Sequence, residues 1–274
     1  MNHIEAGRYW SANAEVWTQL SRAGYDVYRD HLNTPAFFNM LPDVSELKGI
    51  DIGCGEGYNT RLLAEIGALM TAIDISEVFI QKASEVESSN PFHINYQVAS
   101  AVDLPFENEQ FDFATGFMSF MDVPETDEVI SEAFRVLKPG GFLQFSITHP
   151  CFDTPHRKNI KNEDGKTYAV EVGDYFLNQD GNIDEWMFKS APPHLRASVQ
   201  KFKVPRFTRT LSQWINALTE TGFMIESLQE PRPDDATVQS YPKLQPAQTV
   251  AYFLHILCRK PMKKSATSSS NSIR

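Results

Sequence analysis

Two carboxylates, Asp51 and Asp74, bracket three alternating glycines, Gly53, Gly55 and Gly57. Glycine lets a backbone come close to a ligand and takes turn conformations closed to other residues. Ile50 and Ile52 before the glycines read as a short buried strand. Tyr58 to Ile66 after them reads as a helix with Leu62, Leu63 and Ile66 on one face. A strand, a glycine turn and a helix leave backbone N–H groups pointing at a bound group, the arrangement of a nucleotide-type site. Asp74 ends the next apolar run, about 20 residues on, where an acid can accept hydrogen bonds from ribose hydroxyls.

The details choose among nucleotides. A dinucleotide fingerprint puts a third glycine where this chain has Tyr58. The pattern here is G-x-G-x-G with Asp51 before it, and an acid beside the turn suits an ammonium group better than a pyrophosphate. S-adenosylmethionine carries an ammonium, a carboxylate and a ribose diol, and no phosphate. Four later pieces follow in order: Thr71-Ala-Ile-Asp-Ile-Ser76, Val102-Asp-Leu-Pro-Phe106, Phe111-Asp-Phe-Ala-Thr-Gly-Phe117 and Glu132-Ala-Phe-Arg-Val-Leu-Lys-Pro-Gly-Gly141. With the turn, they make residues 48–150 resemble the class I S-adenosylmethionine-dependent methyltransferases, in particular the small bacterial single-domain, type 11-like branch.

That resemblance implies the donor S-adenosylmethionine, the product S-adenosylhomocysteine and a set of contacts. Gly53, Cys54 and Gly55 would meet the methionine end by backbone, with Gly57 serving close packing in the same turn. Asp51 would meet the ammonium and Asp74 the ribose diol. Ile75 would lie against the adenine, Ala101 and Val102 would hold its edge, and Phe117 would touch the methionine portion. Many relatives place an acid where this chain has Ser100, so that adenine contact departs from the pattern.

A sulfonium methyl is already a strong electrophile, so orientation and water exclusion can supply much of the rate. A base is needed only if the acceptor must lose a proton. The candidates are His149, just past the fifth strand, and Asp122, just past the fourth. Tyr175, His156, His194 and Trp186 could line the acceptor pocket. His149 and Cys151 lack further ligands at metal spacing, so no metal is expected.

These groups need a scaffold. Strands near 49–52, 69–73, 94–98, 111–117 and 141–147 alternate with helices near 59–66, 77–85 and 125–137. The pattern predicts an α/β fold, a doubly wound, seven-stranded, mostly parallel sheet. Residues 47–151 and 209–261 would form this Rossmann-like sheet domain, the methyltransferase domain that the resemblance implies. Its last two strands, 223–228 and 249–257, form an antiparallel hairpin. Residues 152–208 read as a small antiparallel insertion over the active site. Residues 1–46 read as a helical segment, helical from about 8 to 40, in which Trp10, Ala14, Trp17 and Leu20 fall at helical spacing, either packed on the domain edge or closing as a lid. Asn33-Thr-Pro35 is expected to break it. The tail, 262–274, is polar and expected to be disordered.

Composition sets bounds. The chain has 274 residues, 42% hydrophobic, with a net charge of −10. An acidic balance argues against a nucleic-acid partner. No apolar run suits a membrane span or a signal-peptide core, and three scattered cysteines give no disulfide framework. The expectation is a cytoplasmic enzyme acting on a small-molecule acceptor through oxygen, nitrogen or carbon. Its rivals are an NAD-dependent oxidoreductase and a non-catalytic S-adenosylmethionine-binding module.

Overall fold

The computed structural model describes residues 1–263. Its centre is a seven-stranded sheet of β1 (Lys48–Ile52), β2 (Leu69–Asp74), β3 (Asn95–Val98), β4 (Phe111–Phe117), β5 (Leu137–Thr148), β10 (Met224–Gln229) and β11 (Phe253–Arg259). The spatial order is β3-β2-β1-β4-β5-β11-β10. All neighbours run parallel except β11, which is antiparallel to both β5 and β10. The doubly wound, mostly parallel sheet of the sequence reading is therefore present, with its last strand reversed beside the fifth.

The central strands are buried on both faces because helices cover both. Ile50, Val129, Ile130, Phe145, Trp214 and Leu218 build one core beneath α5 (Thr126–Val136) and α7 (Leu211–Thr221). Met40, Leu63, Met70, Phe113 and Phe142 build the other beneath α2 (Thr34–Met40) and α3 (Tyr58–Glu65). The helix ends obey local chemistry. Ser76 Oγ accepts the Phe79 N–H at 3.3 Å to open α4 (Glu77–Ser89), and Thr210 with Gln213 forms a capping box on α7. Strand order reverses between β2-β1 and β1-β4, so a crevice opens at the carboxyl ends of β1 and β4.

Three local expectations are corrected. Asn33-Thr-Pro35 does not break the N-terminal segment: a π-helical turn at Arg29–Asn33 runs straight into α2, with Pro35 in its first turn. Pro35 falls where the π-turn ladder passes to the α-helical one, so its missing N–H coincides with the change of ladder and the chain stays helical. The first helix, α1 (His3–Arg22), starts earlier than expected, at a capping box of Asn2 and Glu5. Strand β5 begins at Leu137, not at Gly141. Leu137 pairs with Phe111 and Phe142 with Phe113, so residues 138–141 bulge from the ladder, with Gly140 at φ +82.

After β5 come two antiparallel ribbons, β6 (His156–Lys161) with β7 (Thr167–Gly173), and β8 (Asn182–Trp186) with β9 (Phe202–Arg206). Helix α6 (Pro193–Ser198) lies between β8 and β9, and α8 (Asp235–Ser240) precedes β11. Helix α1 locks onto β9. Asn13 donates to the Lys203 carbonyl at 2.9 Å and accepts its N–H at 3.1 Å, while Trp17 packs edge-on against Trp186 and Phe188. Of the expected disordered tail, Met262 lies against Gly140 and Lys263 pairs with Glu109. The remainder, 264–274, lies outside the described residues.

Candidate functional site

Gly53, Gly55 and Gly57 all sit at positive φ, +75, +55 and +79. Their amides, however, are not free for a ligand. The N–H groups of Gly53 and Cys54 both donate to the Ile73 carbonyl at 2.9 Å, Gly57 donates to the Cys54 carbonyl, and Gly55 donates to Asp74 at 2.9 Å. The expectation of bare amides facing an anion is thus corrected: the turn uses its donors to lock itself onto the end of β2. What it offers is space. A Cβ built on Gly55 meets nothing within 4 Å.

Both bracketing acids lie on the floor of this space. Asp51 accepts from Thr60 Oγ1 at 2.5 Å and from Thr115 Oγ1 at 3.0 Å. Asp74 accepts the Gly55 and Ser76 N–H groups, one on each oxygen. Each carboxylate keeps acceptor capacity beyond these bonds. Burial raises each to about 6, held back by those hydrogen bonds, so both are mostly ionised at neutral pH. Burial and the two acids push the Cys54 thiol up, which keeps it protonated and unreactive.

Above the turn lies a cavity of about 1000 Å³, the upper end of small-molecule sites. It is bounded by the β1 and β4 ends, the N-terminal segment and both ribbons. Gly53, Cys54, Gly55, Ile75, Ala101 and Phe117 line it, as do Asp51 and Asp74. Trp10, Trp17, Tyr25 and Tyr28 of the N-terminal segment close over it, and Trp186 reaches it from β8.

Asp122 faces the same cavity. It follows β4 in a short 3-10 turn (Phe120–Asp122) and stands near Arg206, Asp153 and Asp74. Burial lifts its carboxyl to about 8; Arg206 lowers it, and Asp153 and Asp74 raise it. Arg206 is itself tied to Asp153 at 2.7 Å. Asp122 therefore gains and loses a proton close to neutral pH.

Several candidates stand elsewhere. Val102 does not line the cavity; it packs against the β4-side core, and its N–H donates to Ser100 Oγ at 3.3 Å. Gly57 lies behind the turn, where a Cβ would come within 2.4 Å of Tyr96 Oη. His149 is the main correction. It is buried but turned away from the cavity: Nδ1 accepts the Cys151 N–H at 3.2 Å, which leaves Nε2 to donate to Glu230 at 2.7 Å. Both ring nitrogens are thus engaged in holding the loop after β5. Tyr175 Oη accepts the Leu211 N–H, His156 pairs with Glu171 on the surface, and His194 is exposed, so none of these three reaches the cavity. His149→Ala is expected to leave turnover within about twofold and to cost about 1–3 kcal/mol of stability, for two hydrogen bonds lost and the part-buried Cys151 N–H left unpaired. Thermal melts beside turnover rates check it.

Sequence patterns missed other lining groups. Arg29 brings a cation to the rim of the turn, its guanidinium 4.1 Å from the Tyr58 ring. It sits on the π-helical turn, and such turns often mark functional sites. Arg206 and Arg157 come from the ribbons, where no local motif announces them. Met118, also lining the cavity, is held at φ +55, an unusual conformation for its type.

Residues 50–145 match the family model described as a methyltransferase domain. A ubiquinone biosynthesis O-methyltransferase of Coxiella burnetii is 33% identical over 125 residues, 44% of this chain and 53% of that protein. One from Pseudomonas fluorescens is 35% identical over 150 residues, 53% of this chain and 63% of that protein. The chain thus spans about half the length of the curated relatives it matches. A solved S-adenosylmethionine-dependent methyltransferase from Mesorhizobium loti aligns with a TM-score of 0.66 at 26% identity, covering 82% of this chain and 96% of that one.

Proposed function

Because this chain carries a class I methyltransferase domain, we propose that it transfers the methyl group of S-adenosylmethionine to an oxygen of an enclosed small-molecule acceptor. One observation carries the choice of donor. The glycine turn uses its own amides internally and presents two carboxylates on the cavity floor. Such a floor suits an ammonium and a ribose diol and repels a pyrophosphate, which disfavours the dinucleotide reading. The oxygen acceptor follows the printed activity of the similar proteins. The aromatic walls that the N-terminal segment and the second ribbon set over the cavity favour an enzyme over a bare binding module.

The residues divide the work. Asp51 holds the ammonium, Asp74 the ribose hydroxyls, and Arg29 the carboxylate at the rim. Ile75 and Ala101 border the adenine, with Phe117 beside the methionine chain. When bound, S-adenosylmethionine supplies a methyl group already activated by its sulfonium sulfur. Trp10, Trp17 and the two ribbons exclude water from that end of the cavity. Asp122, ionised, takes the proton of an acceptor hydroxyl. Among the described residues no helix is long and apolar enough to cross a membrane. The three cysteines stand as free thiols, which suits a cytoplasmic setting.

The test is a tryptophan-fluorescence titration with S-adenosylhomocysteine and, in parallel, NADH. The first is expected to bind and the second not. Asp74→Ala is expected to weaken S-adenosylhomocysteine by about 1.5–3 kcal/mol, tenfold or more, as for a hydrogen bond to a charged group. Unchanged affinity removes the ribose assignment, and tighter NADH binding removes the donor.

A further inference from the structure

The wall of the cavity formed by the first ribbon is cationic in an acidic protein. Arg157, Asn159 and Lys161 alternate along β6, share one face, and all line the cavity. Thr167 pairs with Lys161 across the ribbon and lines it too. The Arg157 guanidinium lies 4.5 Å from the Tyr252 ring, which stacks on Tyr28 at 4.9 Å. Its Nη2 is buried without a hydrogen-bond partner, and so are Asn159 Oδ1 and Thr167 Oγ1. Among the described residues neither Arg157 nor Lys161 joins an ion pair. Glu171, the acid of the partner strand, is held by His156.

A buried, unpaired guanidinium donor is costly unless something pairs with it. Here three orphaned polar atoms converge on one wall. The wall is fixed in place: Gln245 accepts the Thr167 N–H at 2.8 Å and donates to its carbonyl at 2.9 Å, and Thr249 Oγ1 donates to the same carbonyl. A ribbon pinned this firmly with its polar atoms unmatched is preorganised for a ligand.

We propose that the methyl acceptor carries a carboxylate, bound by Arg157 with Lys161 beside it, on a flat body that lies against the Tyr28–Tyr252 pair. This rests on the methyl-transfer reading, since it places the acceptor in the cavity shared with the donor. A planar guanidinium fork matches the two oxygens of a carboxylate. Asn159 Oδ1, as placed, accepts from a hydroxyl on the same body. A cationic wall inside a chain of net charge −10 also focuses an anion that the rest of the surface repels.

The probes are benzoate, its neutral counterpart benzamide, and phenyl phosphate, titrated calorimetrically into the protein loaded with S-adenosylhomocysteine. Benzoate is expected to bind at least tenfold tighter than benzamide. Arg157→Gln is expected to abolish that preference, with benzamide and S-adenosylhomocysteine within twofold of wild type, and Arg157→Lys to restore part of it. Equal affinity for acid and amide, no binding of either, or wild-type benzoate affinity in Arg157→Gln overturns the proposal. Tighter binding of phenyl phosphate than of benzoate overturns the carboxylate in favour of a phosphate. If S-adenosylhomocysteine itself does not bind, the donor reading fails first. The acid–amide comparison is then made on the unloaded protein, where a preference lost in Arg157→Gln still supports the wall.

Discussion

Gly55→Val is expected to reduce S-adenosylhomocysteine affinity by at least about 100-fold, more than 2.7 kcal/mol, in a protein that still folds. The reason is where the new atoms go. At Gly55 a Cβ meets nothing within 4 Å, so a valine side chain enters the cavity without displacing a neighbour. It takes volume that the ligand needs. The positive φ of +55 adds backbone strain of about 1–3 kcal/mol for a branched residue, a cost that a folded domain of this size can bear. Neighbouring glycines would not give a clean result. At Gly49 a Cβ would lie 2.2 Å from the Phe113 ring, and at Gly53 2.4 Å from Ser119 Cβ. Substitution there damages the core or the turn before it tests binding. Calorimetric titration beside a thermal melt reads both quantities. A folded Gly55→Val protein that binds normally would show that the crevice above the turn is not the donor site.

The contrast among these glycines shows what was legible in the sequence. The G-x-G-x-G run between an apolar strand and an amphipathic helix fixes a turn, and the turn with Asp74 fixes the end of the sheet where the cavity opens. Apolar runs located the central strands because those are buried on both faces, and caps such as Ser76 and Thr210 are short-range chemistry. The use of the turn's amides was not legible. Whether Gly53 and Cys54 donate to a ligand or to Ile73 depends on the register between β1 and β2, a non-local property. His149 misled for a related reason. Its position past β5 is on the ligand side, but its ring direction is set by Glu230 and Cys151, after β10 and within the next loop. Arg157 and Arg206 were invisible because ribbons that carry them reach the cavity only through tertiary packing on α1 and the segment before β11.

Asp122→Asn is expected to lower turnover by about 100-fold or more, within the range for loss of a general base, while S-adenosylhomocysteine affinity changes little. The substitution keeps shape and hydrogen-bonding reach and removes only the ability to take a proton. Its pH signature separates this role from a merely structural one. Burial places the wild-type carboxyl at about 8, so turnover of the wild type rises as pH is raised through that value, and the variant's profile is flat there. Stability moves the opposite way. Between the ordinary aspartate value of 3.8 and about 8 the folded protein binds more protons at this site than the unfolded chain does. By linkage the wild type then loses stability as pH rises through this window. An asparagine carries no such penalty. Asp122→Asn should therefore melt higher than wild type near pH 8 while turning over far more slowly, as expected of a carboxyl kept in an unfavourable place for its chemistry. A variant that keeps wild-type turnover with an unaltered pH profile would show that the acceptor loses its proton to another group or needs no base.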